Sequence, residues 1–77
     1  MSWNYRVMVR TWPGGEKTYG IYEVYYNGNG GRAKASTVEA MAPHGESLAE
    51  LKADFALMKK AFSAPVLDWE TRKEVKP

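Results

Sequence analysis

The stretch that decides the fold is Gly45-Glu46-Ser47-Leu48-Ala49-Glu50-Leu51-Lys52-Ala53-Asp54-Phe55-Ala56-Leu57-Met58-Lys59-Lys60-Ala61-Phe62, the one long helical signal in a chain of 77 residues. Ser47 is a good N-cap, because its hydroxyl accepts from the free N–H of Glu50. Glu50 can return the bond to the Ser47 backbone, which completes a capping box. Glu46 and Glu50 sit near the positive end of the helix dipole, Lys59 and Lys60 near the negative end. Pro65 stops the helix by disfavouring the α region for the residue before it. Leu48, Leu51, Phe55, Met58 and Phe62 recur at spacings of three and four and fall in one apolar stripe. The stripe needs a partner, no second helix is available, and the partner must therefore be a sheet. This reading puts Phe55 at the centre of the helix–sheet contact, where its truncation is expected to cost about 3–5 kcal/mol. Ala49, Ala53, Ala56, Leu57 and Ala61 lie away from the stripe. They read either as plain helix formers or as a second contact face in a homodimer, with Leu57 its one large residue.

Composition bounds the rest. The length suits one domain over 1–77. A chain this small buries only about 60% of its unfolded surface, so its stability should be modest. It has no cysteine, hence no disulfide and no thiol chemistry. No apolar run approaches the roughly 20 residues of a membrane span, and the first residues lack the pattern of a signal peptide. The expectation is a cytoplasmic protein without a membrane partner. Eleven basic and nine acidic residues leave a net charge of +2, too balanced to imply nucleic acid by itself. Five tyrosines and three tryptophans suit a sheet with one wet face.

Upstream of the helix, Tyr5 to Trp12 alternates strictly. Tyr5, Val7, Val9 and Thr11 take one face and Arg6, Met8, Arg10 and Trp12 the other. Pro13-Gly14-Gly15-Glu16 is a turn, and Lys17 to Tyr26 is a second strand. Setting Trp12 opposite Lys17 pairs Val7 with Tyr22, Tyr5 with Val24, Met8 with Ile21 and Arg6 with Glu23. Asn27 to Gly31 is a second turn, rich in residues that tolerate the left-handed region. It has neither a P-loop lysine nor a helix behind it, so it is no phosphate loop. Arg32 to about Ala40 is a weaker third strand that places Ala33 and Ala35 beside Val24 and Tyr22, and Lys34 near Glu23. Pro65 to Glu70 is a short extended segment, and Thr71 to Pro77 a charged tail expected to fray. The fold class is α+β: a three-stranded antiparallel meander with one amphipathic helix packed on one face, in the order β-β-β-α, with room for a short fourth strand.

Two resemblances follow. Glu23-Val24-Tyr25-Tyr26, Pro43-x-Gly45-Glu46-Ser47-Leu48 and Pro65-Val66-Leu67-Asp68 resemble a group of small uncharacterised bacterial proteins over nearly the whole chain. That resemblance implies no particular activity. Gly45-Glu46-Ser47-Leu48-Ala49-Glu50 is similar to the helix opening in the N-terminal domain of HicB-type antitoxins, which implies a three-stranded meander leading into a helix. The DNA-binding segment that usually follows there has no counterpart here.

No constellation implies a reaction, a cofactor or a metal. His44 is the single histidine, set in a loop, and Ser47 is used by the cap. Asp68 and Glu70 share a strand face as an exposed polar edge, and Glu23 reads as the surface partner of Arg6. The chain is therefore expected to be a non-enzymatic binding or protein-interaction module. The candidate surface is the sheet face without the helix: Arg6, Met8, Arg10 and Trp12, with Tyr19, Ile21 and Tyr25 from the neighbouring strand. Arginine among aromatics suits a protein hot spot, with self-association as a homodimer included. It also suits a single-stranded nucleic acid, by stacking and charge. A third reading has the C-terminal segment folding back over this face.

Overall fold

The computed structural model describes residues 2–28 and 31–75. Among these, the chain forms a four-stranded sheet and one α-helix. Strands β1 (Ser2–Thr11), β2 (Lys17–Tyr26) and β3 (Ala33–Ser36) make the antiparallel meander read from the sequence. Helix α1 (Leu48–Lys59) follows, runs on into a 3-10 turn at Lys60–Ser63, and leads to β4 (Leu67–Asp68). Strand β4 pairs with β1 in parallel, and the sheet order is β3-β2-β1-β4. Parallel pairing requires a long crossover, and α1 supplies it. Asn29 and Gly30 of the second turn, and Lys76 and Pro77 of the tail, lie outside the described residues.

The β1–β2 register is one residue from the expected one. Thr11, not Trp12, faces Lys17; Val7 faces Ile21, Tyr5 faces Glu23, Met8 faces Gly20 and Arg6 faces Tyr22. The turn explains the slip. Gly15 N–H donates to Trp12 O at 2.9 Å, and Gly14 has φ 102°, the proline-then-glycine arrangement of a type II turn. Gly15 (φ 94°) then adds a further positive-φ residue before Trp12 N–H closes the loop on Glu16 O at 2.7 Å. The loop thus spans Trp12 to Glu16. In this register Glu23 lies on the opposite face from Arg6, so the expected pair does not form. Strand β3 is shorter than expected and bulged: Tyr26 faces Ala33 and Tyr25 faces Ala35, which leaves Lys34 without a partner opposite. Beyond it, Thr37 and Met41 donate to Glu23 O and Ile21 O, so the chain keeps close to β2. Gly20 is required there, because a Cβ on it would stand 2.9 Å from the Ala40 Cβ.

The core has two layers. Tyr5 and Val7 pack with Met58 and Ala61 on the helix side. Met8, Tyr22, Val24 and Leu67 pack on the other, with Trp69 against them. Met8 and Val24 are fully buried. The charged tail does not fray over residues 71–75. It turns back on β4, with Asp68 N–H donating to Lys73 O and Val75 N–H to Val66 O, both at 2.8 Å, because Leu67 and Trp69 have an apolar floor to hold them.

The helix is oriented differently from the expectation. Met58 is 2% exposed, whereas Phe55 is 57% exposed. The side turned to the sheet carries Asp54, Met58 and Ala61, rotated by roughly 70° from the centre of the apolar stripe at about 100° per residue. Alanine at position 61 lets the helix end approach β1 closely. Phe55 is therefore not central to the core, and its loss cannot carry the cost of a buried ring. The cap forms as read, Glu50 N–H donating to Ser47 Oγ at 3.1 Å. The Glu50 carboxylate, however, accepts from Glu46 N–H at 3.0 Å rather than from Ser47.

Asp54 fastens the N-terminal half of the helix. Its Oδ1 accepts from the Tyr5 hydroxyl at 2.7 Å and its Oδ2 from the His44 N–H at 2.9 Å. Burial, then the bond to Asp54 and its charge, push the Tyr5 phenol up to about 12. The Tyr5 bond, and then the His44 N–H, hold Asp54 below the usual carboxylate value. The signs follow by linkage. The Tyr5 contribution is complete below about pH 10, where the unfolded phenol titrates, and is lost as pH rises toward 12. The Asp54 contribution is present above the ordinary carboxylate range and is lost as pH falls through it. Tyr5→Phe should flatten both limbs of a chemical-denaturation stability profile against pH; limbs as steep as wild type would show that this clasp does not hold the helix.

Candidate functional site

The seven candidate surface residues do not share a surface. Tyr19, Ile21 and Tyr25 lie on the helix side, because the register puts them opposite Val9, Val7 and Trp3. Tyr19 is exposed, and Tyr25 donates to Glu23 Oε1 at 2.7 Å. That bond, with some burial and the carboxylate charge, holds the Tyr25 phenol above its ordinary value. Met8 is no surface residue, since Leu67 and Trp69 of the C-terminal hairpin cover it.

Arg10 and Trp12 do come together, and Trp69 joins them. The Arg10 guanidinium carbon lies 4.1 Å from the Trp12 ring centroid and 3.9 Å from that of Trp69. Arg10 Nη1 also donates to Val38 O at 3.1 Å, and the Trp12 indole N–H donates to Thr18 Oγ1 at 2.9 Å. The arginine and aromatic rings read as a ligand platform are engaged with one another. Trp69 was not among the residues read as this surface, since its pairing with Arg10 depends on β4 joining β1. Arg6 is likewise tied, donating to the Tyr26 hydroxyl at 3.1 Å and to Pro65 O at 2.7 Å.

The exposed apolar surface is on the other side, and it is built by the stripe read as core. Phe55 stands between two shallow hollows. One, of about 340 Å³, is lined by Ile21, Met41, Pro43, Phe55, Met58, Lys59 and Phe62. The second, of about 320 Å³, is lined by Pro43, Leu51, Lys52 and Phe55. Helical spacing puts Lys52 and Lys59 on one flank of the stripe, two turns apart. Of the seven residues read as the surface, Ile21 alone belongs here. The remainder was concealed because a stripe at helical spacing reports a need for burial and not the identity of what buries it.

Among the described residues no three His, Cys, Asp or Glu side chains gather as metal ligands would, and no helix is long and apolar enough to cross a membrane. Arg10→Ala should cost about 1–3 kcal/mol, from two cation–π contacts and a hydrogen bond, and should red-shift the tryptophan emission. Unchanged melting and emission would mean that the hairpin is held without it. Comparison with protein-family models, with curated proteins and with solved structures returns no match.

Proposed function

We propose that this chain is a non-enzymatic protein-interaction module, that its working surface is the outward side of α1, and that the occupant is a second copy of the chain. The carrying observation is the exposure of the stripe: Leu48 66%, Leu51 38%, Phe55 57% and Phe62 70%. At about 200 Å² for a fully exposed side chain of this size, these leave on the order of 450 Å² of apolar surface. A standard interface takes about 800 Å² from each partner, of which roughly 57–65% is apolar. The stripe matches that apolar share. A two-fold interface needs one patch that is complementary to itself. Protruding phenylalanines beside apolar hollows fit that requirement, each ring of one copy entering a hollow of the other.

Charge supplies the sign of the test. Two-fold antiparallel pairing of the helices brings the Lys52 and Lys59 flanks of both copies to the same side. Added salt screens that repulsion and should tighten the dimer. An acidic partner segment lying along the same lysines would instead be released by salt. In sedimentation velocity at micromolar concentration the protein should run as a dimer, more completely at higher salt. Phe55→Glu should give a monomer with the wild-type circular dichroism spectrum, and Leu57→Glu, facing Trp3 and Tyr5 away from this surface, should stay dimeric. A wild-type monomer at sub-millimolar concentration, or a dimer indifferent to Phe55→Glu, would refute the reading.

A further inference from the structure

We propose that the cavity between the far side of the sheet and the C-terminal hairpin binds a small molecule bearing a phosphate or pyrophosphate group. The cavity, of about 670 Å³, is lined by Arg6, Arg32, Arg72 and Lys73, with Tyr26 and Glu74 among the remaining residues. Four cations thus face one carboxylate, and low-dielectric walls focus such a field on an anion. The charge of Arg6 is not spent internally, since its two terminal nitrogens bond neutral oxygens, the Tyr26 hydroxyl and Pro65 O. The Nε atoms of Arg6 and Arg72 are shielded from solvent and have no acceptor among the described residues. Unmade donors of this kind are costly, and an oxyanion brings several acceptors at once.

The backbone adds an independent observation. Arg72 closes a turn by donating its N–H to Asp68 O at 2.7 Å, and it does so with φ 60°. Glycine takes that conformation at least cost, yet the position carries an arginine whose side chain lines the cavity. A non-glycine residue held in this region points to a ligand clamp.

The chemistry selects the ligand class. Guanidinium groups match phosphate oxygens in bidentate fashion, and three of them with an ammonium favour more than one negative charge. The volume lies in the range of small-molecule sites and well above that of a bare ion. Trp12 and Trp69, the rings that would stack a single strand, are occupied by Arg10. This site lies on the opposite side of the sheet from the stripe of α1 and does not depend on the dimer.

The test is isothermal titration calorimetry of the full chain with sodium pyrophosphate and with inorganic phosphate at constant ionic strength. Pyrophosphate should bind once per chain and more tightly than phosphate. Arg72→Gly should weaken pyrophosphate by about tenfold or more, the loss of one charge-assisted contact, while its melting temperature equals or exceeds wild type. Arg32→Ala, at an exposed position, should weaken it comparably. Absence of pyrophosphate binding at millimolar concentration, or wild-type affinity in both variants, overturns the proposal. Tighter binding of a single-stranded oligonucleotide than of pyrophosphate, lost in the same variants, overturns the small-molecule assignment.

Discussion

Strand β1 is buried on both faces, and the rest of the molecule is arranged to satisfy it. Tyr5, Val7 and Val9 are buried on one side and Met8 is fully buried on the other. A chain of 77 residues has little material with which to cover two faces. The helix end covers one, with Met58 and Ala61 set against Tyr5 and Val7. The hairpin after Pro65 covers the other, with Leu67 and Trp69 over Met8. Strand β4 is where the two covers meet the strand they serve, as the parallel neighbour of β1. The consequence for function is direct. A helix that docks by its end and one flank leaves Leu48, Leu51, Phe55 and Phe62 of its apolar stripe facing outward and buries only Met58.

The features legible in the sequence were the local ones. The two long strands, the Pro13–Glu16 turn, the Ser47 cap and the stop before Pro65 each depend on residues within a few positions of one another. The register is ambiguous in the sequence because two pairings each give Val7 an apolar partner, Tyr22 in one and Ile21 in the other. What separated them was the extra positive-φ residue at Gly15 and the need for Tyr22 and Val24 to share a face with Met8, giving the hairpin a floor. Helical periodicity fixes the direction of the stripe relative to the helix axis and leaves its rotation relative to the sheet undetermined. The signal for that rotation was Ala61, small enough for close approach at the helix end, and Asp54, placed to meet Tyr5 and the His44 N–H.

The candidate site was less legible for a related reason. Arg10, Trp12 and Trp69 have the composition of a binding platform, but a guanidinium held between two indoles satisfies the same composition inside one chain. Arg6 was placed on the correct face. Its neighbours at the cavity, Arg32, Arg72 and Lys73, come from segments that only the bulged third strand and the returning hairpin bring near it. The two sides of the sheet thus end with different chemistry. The helix side is apolar with lysines on one flank, and the far side is cationic.

The rotation of the helix on β1 decides which of its residues are free to bind, and nuclear Overhauser spectroscopy reads it directly. The Met58 and Ala61 methyl groups should give cross-peaks to the Tyr5 ring and to the Val7 methyls, and the Phe55 ring should give none to β1. Strong cross-peaks from the Phe55 ring to Val7 or Val9, with Met58 silent, would place the stripe against the sheet and contradict the account.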